Sequence, residues 1–159
     1  GISELESAID LNPSFALAHF GLGQAFICQG RAEESVAAIN KAVRLSPHDP
    51  YLWMWEMQIA LAHSYAGNNT EAVTWARRST RHPTSGYWAF FALAVALGHM
   101  NHNEEARRAL DKLLDLEPRF SVAGVRQFLH IAIRSFADHC VEGVRKAGLE
   151  SIEDPPAIG

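Results

Sequence analysis

The chain has 159 residues, of which 48% are hydrophobic and 20% are charged, and its formal net charge is −4 at pH 7. This length and apolar content predict one domain with a buried core and argue against a disordered chain. Acidic and basic residues are interspersed, which argues against a nucleic-acid-binding protein, and no apolar run reaches the roughly 18 residues that a membrane-spanning helix needs.

The first predicted element, residues 2–11, is a helix whose apolar side chains recur on one face. We interpret it as the second helix of a pair whose first helix is missing, so we expect further repeats or another domain upstream. Ser14 is the predicted cap of the next helix, which extends to about Cys28. A turn at Gly30 leads to its partner helix, residues 32–45.

Small residues, Gly23 and Ala42, mark the expected contact between the two helices of this pair. A proline follows the second helix of each pair, and successive prolines are 34, 36 and 35 residues apart; they are Pro13, Pro47, Pro83 and Pro118. A constant period of this size indicates a stacked repeat protein.

The next pair begins at Asp49 and Pro50, a predicted capping acid and first helical residue, and turns at Gly67. Its second helix ends in an arginine run with Arg77 and Arg78. Because positive charge at a carboxyl terminus complements the helix dipole, we interpret the run as a solvated helix end rather than a phosphate site.

A third pair occupies residues 84–118, and two further amphipathic helices are predicted in residues 119–149. We expect these two helices to cap the stack, with Asp138 and His139 on the polar outer face of the last one. Residues 150–159, which include two prolines, are predicted to form an extended tail.

This pattern resembles the tetratricopeptide repeat. The residues that carry the resemblance in the best copy are Leu22, Gly23, Phe26, Ser35, Ile39, Ala42 and Pro47. The resemblance implies an all-α solenoid of antiparallel helix pairs wound as a right-handed superhelix. The repeats are then residues 1–13 (partial), 14–47, 48–83 and 84–118, which together form a repeat region of residues 1–118.

A second resemblance concerns residues 142–149, which end in Arg-Lys-Ala-Gly-Leu, and the segment from Asp49 to Ala76. Both are similar to the C-terminal region of bacterial class III adenylate/guanylate cyclases, and similar regions follow winged-helix domains in bacterial regulators. This resemblance implies that the chain is an accessory region of a larger bacterial signalling protein. It covers no catalytic segment, so no catalytic, cofactor or metal residue is implied.

In tetratricopeptide proteins the first helices of the pairs line a concave groove. The resemblance therefore implies a partner-binding set of mostly apolar residues: Leu17, Phe20, Gln24, Met54, Met57, Leu61, Trp88, Phe91 and Val95. Such a set suits an apolar or helical segment of another protein, or a second copy of this chain. The alternative is that the last helix and the tail cover the groove, so that these residues are core.

Other polar residues are weak candidates for chemistry. His99 and His102 have the spacing of two metal ligands, but a polar turn is favoured because no third ligand is evident. His19 and His63 are expected to be buried and hydrogen-bonded. With only two cysteines, no secretory leader and no catalytic arrangement, the sequence predicts a non-catalytic, cytoplasmic interaction module without cofactors.

Overall fold

The computed structural model describes residues 1–150, so the predicted tail from residue 151 onward lies outside the described residues. Residues 1–150 contain nine α-helices and no strand, which confirms the all-α fold class. They are α1 (Ile2–Leu11), α2 (Ala16–Cys28), α3 (Ala32–Leu45), α4 (Leu52–Tyr65), α5 (Asn69–Thr80), α6 (Tyr87–His99), α7 (Asn103–Leu116), α8 (Val122–Phe128) and α9 (Arg134–Lys146). No helix in this part of the chain is both long and apolar enough to cross a bilayer.

Three helix pairs, α2–α3, α4–α5 and α6–α7, form the body of the fold, and each pair turns through a residue in the left-handed conformation. Gly30 has a φ of +78° and Gly67 a φ of +86°, whereas Asn101 occupies the equivalent turn with a φ of +58°. Glycine adopts this conformation without steric cost, and asparagine tolerates it better than most residues. The three turns therefore bend the chain in the same way, which makes the pairs repeat.

Small residues bring the two helices of a pair together, as the sequence predicts. A Cβ atom added to Gly23 of α2 would lie 2.2 Å from Cγ1 of Ile39 in α3. The hydroxyl of Ser35 donates a hydrogen bond of 2.7 Å to the carbonyl oxygen of Gly23. Ala72 and Ala106 stand at the corresponding positions of α5 and α7, and both are fully buried.

The first helix of each pair packs on both helices of the pair before it. The α4 helix contacts α6 and, less extensively, α2, while α3 packs on α4 and α5 packs on α6. Phe20 of α2 stacks on Trp55 of α4, with ring centroids 5.6 Å apart. Ile59 of α4 and Leu110 of α7 are completely buried but belong to two clusters: Ile59 lies in a small cluster with Phe20 and Trp55, and Leu110 lies in a larger one that extends to α9.

Two predicted helix starts are wrong by a few residues. Ser14 does not cap α2; its N–H donates to Oδ1 of Asn12 in the preceding turn, and Phe15 is the residue before the helix. Asp49 likewise accepts the N–H of Tyr51 at 2.9 Å in a turn, and α4 begins only at Leu52. In each turn a side-chain oxygen, from Asn12 or from Asp49, accepts a backbone N–H before the helix begins.

The two C-terminal helices, α8 and α9, follow the last repeat. The α8 helix is only seven residues long, and Ser121 caps it by accepting the N–H of Gly124. The α9 helix packs mainly on α6, with smaller contacts to α4, α7 and α8. It therefore lies mainly on the first helix of the last pair. His139, predicted to face outward, is turned toward α4 and α6.

Candidate partner-binding surface

The α9 helix crosses the side of the stack that the first helices form. At its start, the N–H of Ile133 donates a hydrogen bond of 2.8 Å to the carbonyl oxygen of Cys28, at the end of α2. The hydroxyls of Ser135 and Tyr65 lie 2.6 Å apart, which ties the next turn of α9 to the end of α4. The helix is thus fastened to two successive repeats.

His139 is the central polar contact of α9. Its Nε2 lies 2.8 Å from the hydroxyl of Ser64 in α4, and its carbonyl oxygen lies 2.8 Å from Nε2 of His99 in α6. The imidazole rings of His99 and His139 stack with centroids 3.9 Å apart. Burial and the neighbouring His99 lower the pKa of His139 to about 4, against a smaller opposing effect of Glu142. His139 is therefore neutral near pH 7.

Close backbone contact brings α9 against α6. A Cβ atom on Gly98 would lie 2.2 Å from the carbonyl oxygen of Gly143, and one on Gly143 would lie 2.8 Å from Cγ1 of Val95. Cys140, between these contacts, is completely buried, and burial raises the pKa of its thiol. The α9 helix therefore packs on α6 as tightly as a core helix would.

Aromatic residues fill the other end of the same side. Trp88 of α6 stacks on Phe128 of α8 with centroids 4.0 Å apart, and its edge meets Phe91 and Phe120. Phe120 also contacts the ring of Tyr87. The indole of Trp88 is therefore covered by the segment that links the last repeat to α9.

These contacts divide the nine predicted groove residues into three groups. Five are buried: Phe20, Met57, Leu61, Phe91 and Val95. Met54 and Trp88 are half-buried. Leu17 is 58% exposed, and Gln24 is exposed as well. In the second and third repeats, most of the predicted groove residues are therefore buried. In the first repeat, Leu17 and Gln24 of α2 remain at the surface.

The arginine run of α5 contacts the buried carboxylate of Glu56 in α4, a contact that the sequence did not predict. Glu56 of α4 is only 1% exposed, and its two oxygens lie 3.1 Å from Nε of Arg78 and 2.5 Å from Nε2 of His82. Arg77 pairs instead with Glu105 of α7 at the surface. The interpretation of the run as a merely solvated helix end is therefore wrong for Arg78, because that residue neutralises a charge in the core.

The two histidines predicted to be buried and hydrogen-bonded, His19 and His63, differ in burial. His19 is buried, and its Nε2 lies 3.0 Å from the carbonyl oxygen of Pro13, as expected. His63 is only half-buried instead of buried; its Nδ1 lies 3.5 Å from the side-chain amide of Asn68, and partial burial lowers the pKa of this histidine. Within residues 1–150, no group of three or more histidine, cysteine or acidic side chains could hold a metal ion.

Comparison with known protein families agrees with the period and geometry. Residues 1–50 match one family model described as a tetratricopeptide repeat, and residues 89–120 match a second model with the same description. This chain contains tetratricopeptide repeats. A search of curated proteins found no match to the sequence.

Solved tetratricopeptide proteins share the fold. The chain is similar to two crystal structures of MamA, with 17% sequence identity to each and TM-scores of 0.68 and 0.67; the similarity covers 92% of this chain and 84% and 78% of those chains. It is also similar to YrrB, described as a tetratricopeptide protein with an unusual peptide-binding site. That match has 12% identity, a TM-score of 0.62, and coverage of 91% of this chain and 75% of the other. At these identities the similarity establishes the helical solenoid.

Proposed function

We propose that this tetratricopeptide chain is a non-catalytic module that binds a helical or apolar segment of another protein. The observation that carries the proposal is α9 itself, an amphipathic helix seated on the first helices of the repeats. Its apolar side chains Phe136 and Val144 are buried there while Glu142 stays exposed. Helix-in-groove recognition uses the same pattern of apolar anchors at helical spacing.

The free part of this surface lies on α2. Leu17 and Gln24 share one helical face with Phe20, and Leu17 is 58% exposed. Phe15, just before the helix, is 45% exposed, and Tyr51 before α4 is 61% exposed. We propose that Leu17 and Gln24 contact the partner directly. The deeply buried members of the predicted set then support that surface from within.

Site-specific photo-crosslinking tests this proposal. A photoreactive phenylalanine analogue is placed at Leu17 or Gln24 in cells that make the protein. The control carries it at Leu116 of α7, which is apolar and 49% exposed on a second helix. We expect the same protein to be crosslinked from Leu17 and Gln24 and not from Leu116. Crosslinks that form equally at all three positions, or at none of the α2 positions, would contradict the proposal.

A second candidate role follows from the resemblance of residues 142–149 to accessory regions of bacterial nucleotide cyclases and regulators. These residues form the end of α9 and the turn after it, where Ala147 and Leu149 are buried and Arg107 donates to the carbonyl oxygen of Gly148. We propose that the module regulates a catalytic or DNA-binding domain in the same polypeptide. The test is the activity of the parent protein with and without the module: unchanged activity would rule out this role.

A further inference from the structure

A basic groove lies between the second helices α5 and α7, on the side of α6 away from α9. Its rim carries four cationic side chains, two from each helix: Arg77, Arg81, Arg108 and Lys112. Its floor is apolar and includes Leu93 of α6. Leu93 is two residues from Val95, which contacts α9, and two residues correspond to about 200° around a helix. The groove is therefore separate from the surface that α9 covers.

The repeat architecture does not require this basic character. Lys41 of α3 and Lys112 of α7 are both the tenth residue of their helices, so their positions are equivalent. However, Ala37 of α3 stands where α7 has Arg108, and α1 contributes two carboxylates to the groove beside α3. The excess of cations is thus a property of the α5–α7 groove, in a chain whose formal net charge is −4.

Two of the four cations have no partner on the chain. Arg77 pairs with Glu105 at 2.6 Å, and Arg108 lies 3.5 Å from a carboxylate of its own helix. Arg81 and Lys112 are exposed and make no ion pair with any residue in 1–150. Because these two residues belong to opposite walls, the groove offers one unpaired cation on each side of its apolar floor.

The shape of the groove favours an extended occupant over a helix. Arg77 of α5 and Glu105 of α7 touch across it, so one pair of side chains bridges the two walls. A helix with its side chains is about 10 Å wide and would rest on the rim. In an extended chain with three residues per turn, successive side chains point about 120° apart. One apolar and two acidic residues in a row can therefore meet the floor and both walls.

We propose that the α5–α7 groove binds an extended acidic segment of a partner protein, in which one apolar residue precedes two acidic residues. The apolar side chain lies on Leu93, and the two carboxylates pair with Arg81 and Lys112. From Glu105 to Lys112 the α7 helix rises about 10 Å, which three extended residues also span. A protein is favoured over a nucleic acid because nucleic acids are bound by longer basic stripes.

Fluorescence anisotropy with a labelled peptide tests the proposal on the full chain. The probe is Pro-Leu-Glu-Glu-Pro, flanked by glycine and serine and labelled with fluorescein, and its prolines favour the extended conformation. We expect saturable binding that weakens as salt is raised, because exposed charges are screened. Replacing both probe glutamates by glutamine, or the probe leucine by serine, should each weaken binding about tenfold.

Exchange of the charges gives the decisive result. Arg81→Glu with Lys112→Glu should weaken binding of the acidic probe about tenfold, and the same variant should bind a probe with lysines in place of the glutamates. Lys41→Glu, the same change at the equivalent position of α3, should leave binding of the acidic probe unchanged. Circular dichroism confirms that the variants are folded.

Three results of these titrations would overturn the proposal: no saturable binding, equal binding of the glutamate and glutamine probes, or binding that survives the charge reversal. A single-stranded oligonucleotide that binds more tightly than the peptide, and that also depends on Arg81 and Lys112, would overturn it as well. The groove would then be a nucleic-acid site.

Discussion

Gly98 of α6 and Gly143 of α9 meet where the backbones of the two helices touch. A Cβ atom added to Gly98 would lie 2.2 Å from the carbonyl oxygen of Gly143, which no rotamer change can relieve. We predict that Gly98→Ala lowers the free energy of unfolding by about 1–3 kcal/mol, because α9 must shift away from the repeats. Urea unfolding followed by circular dichroism measures the change.

Gly124 provides the matched control for this substitution. It lies in α8, where an added Cβ atom would meet only the Ser121 hydroxyl, at 3.5 Å. Gly124→Ala should therefore stabilise the protein by about 0.5–1 kcal/mol through the ordinary helix preference of alanine. If Gly98→Ala were also stabilising, the close packing of α9 on α6 would be wrong.

Arg77 and Arg78 are adjacent in the sequence, but only Arg78 contacts the buried carboxylate of Glu56. The two arginines should therefore contribute differently to the free energy of unfolding. Arg78→Met leaves that carboxylate with His82 alone, so we predict a loss of about 2–3 kcal/mol of stability. Arg77→Met breaks only the surface pair with Glu105 and should cost less than about 1 kcal/mol. Thermal and urea unfolding of the two variants measures the difference. Equal effects would show that Arg78 does not compensate the buried charge.

Two residues of the predicted groove set are expected to behave in opposite ways. Phe91 is completely buried against Trp88 and Phe120, so Phe91→Ala should cost about 3–5 kcal/mol of stability. Leu17 is 58% exposed, and Leu17→Ala should change stability by no more than about 0.5 kcal/mol. Both values come from urea unfolding. A small effect at Phe91 would mean that it lies on an open surface.

The sequence predicted the repeats well because their determinants are local. Prolines, turn residues such as Gly30, and small residues such as Gly23 and Ser35 recur at fixed spacing and act within one helix pair. The placement of α9 has no such determinant. Its contacts join residues far apart in the chain, such as Tyr65 with Ser135 and His99 with His139. An amphipathic pattern shows that a helix buries one face, but it does not show against which surface.

The same reasoning explains the missed role of Arg78. A cationic residue near the end of a helix has a sufficient local explanation in the helix dipole. Its true partner, Glu56, sits among bulky apolar residues of α4, and a carboxylate in such a run was the available clue. Buried charges in proteins are nearly always paired, so a lone acid in an apolar helix predicts a cation on a neighbouring element.

Acid should loosen α9 through His139. Burial, together with the neighbouring His99, lowers the pKa of His139 from 6.5 to about 4 in the folded protein. The imidazole of His139 binds a proton more readily in the unfolded chain than in the folded protein. Its contribution to the free energy of unfolding is therefore fully present above pH 6.5 and is lost as the pH falls toward 4. We predict that the thermal midpoint falls over this range and that His139→Gln makes the fall shallower. An unchanged slope in the variant would contradict this assignment.

The central claim is that α9 covers the repeats, and the thiol of Cys140 reports on it directly. Cys140 lies on the buried face of α9 and is completely buried, whereas Cys28 is half-exposed and is replaced by serine in the measurement. Labelling of Cys140 with a thiol reagent in native buffer gives the free energy of the opening that exposes it. We predict a value equal to the free energy of global unfolding from urea titration. An opening free energy several kcal/mol below that of global unfolding would show that α9 leaves the repeats while they stay folded. That result would contradict the claim that α9 covers the repeats permanently.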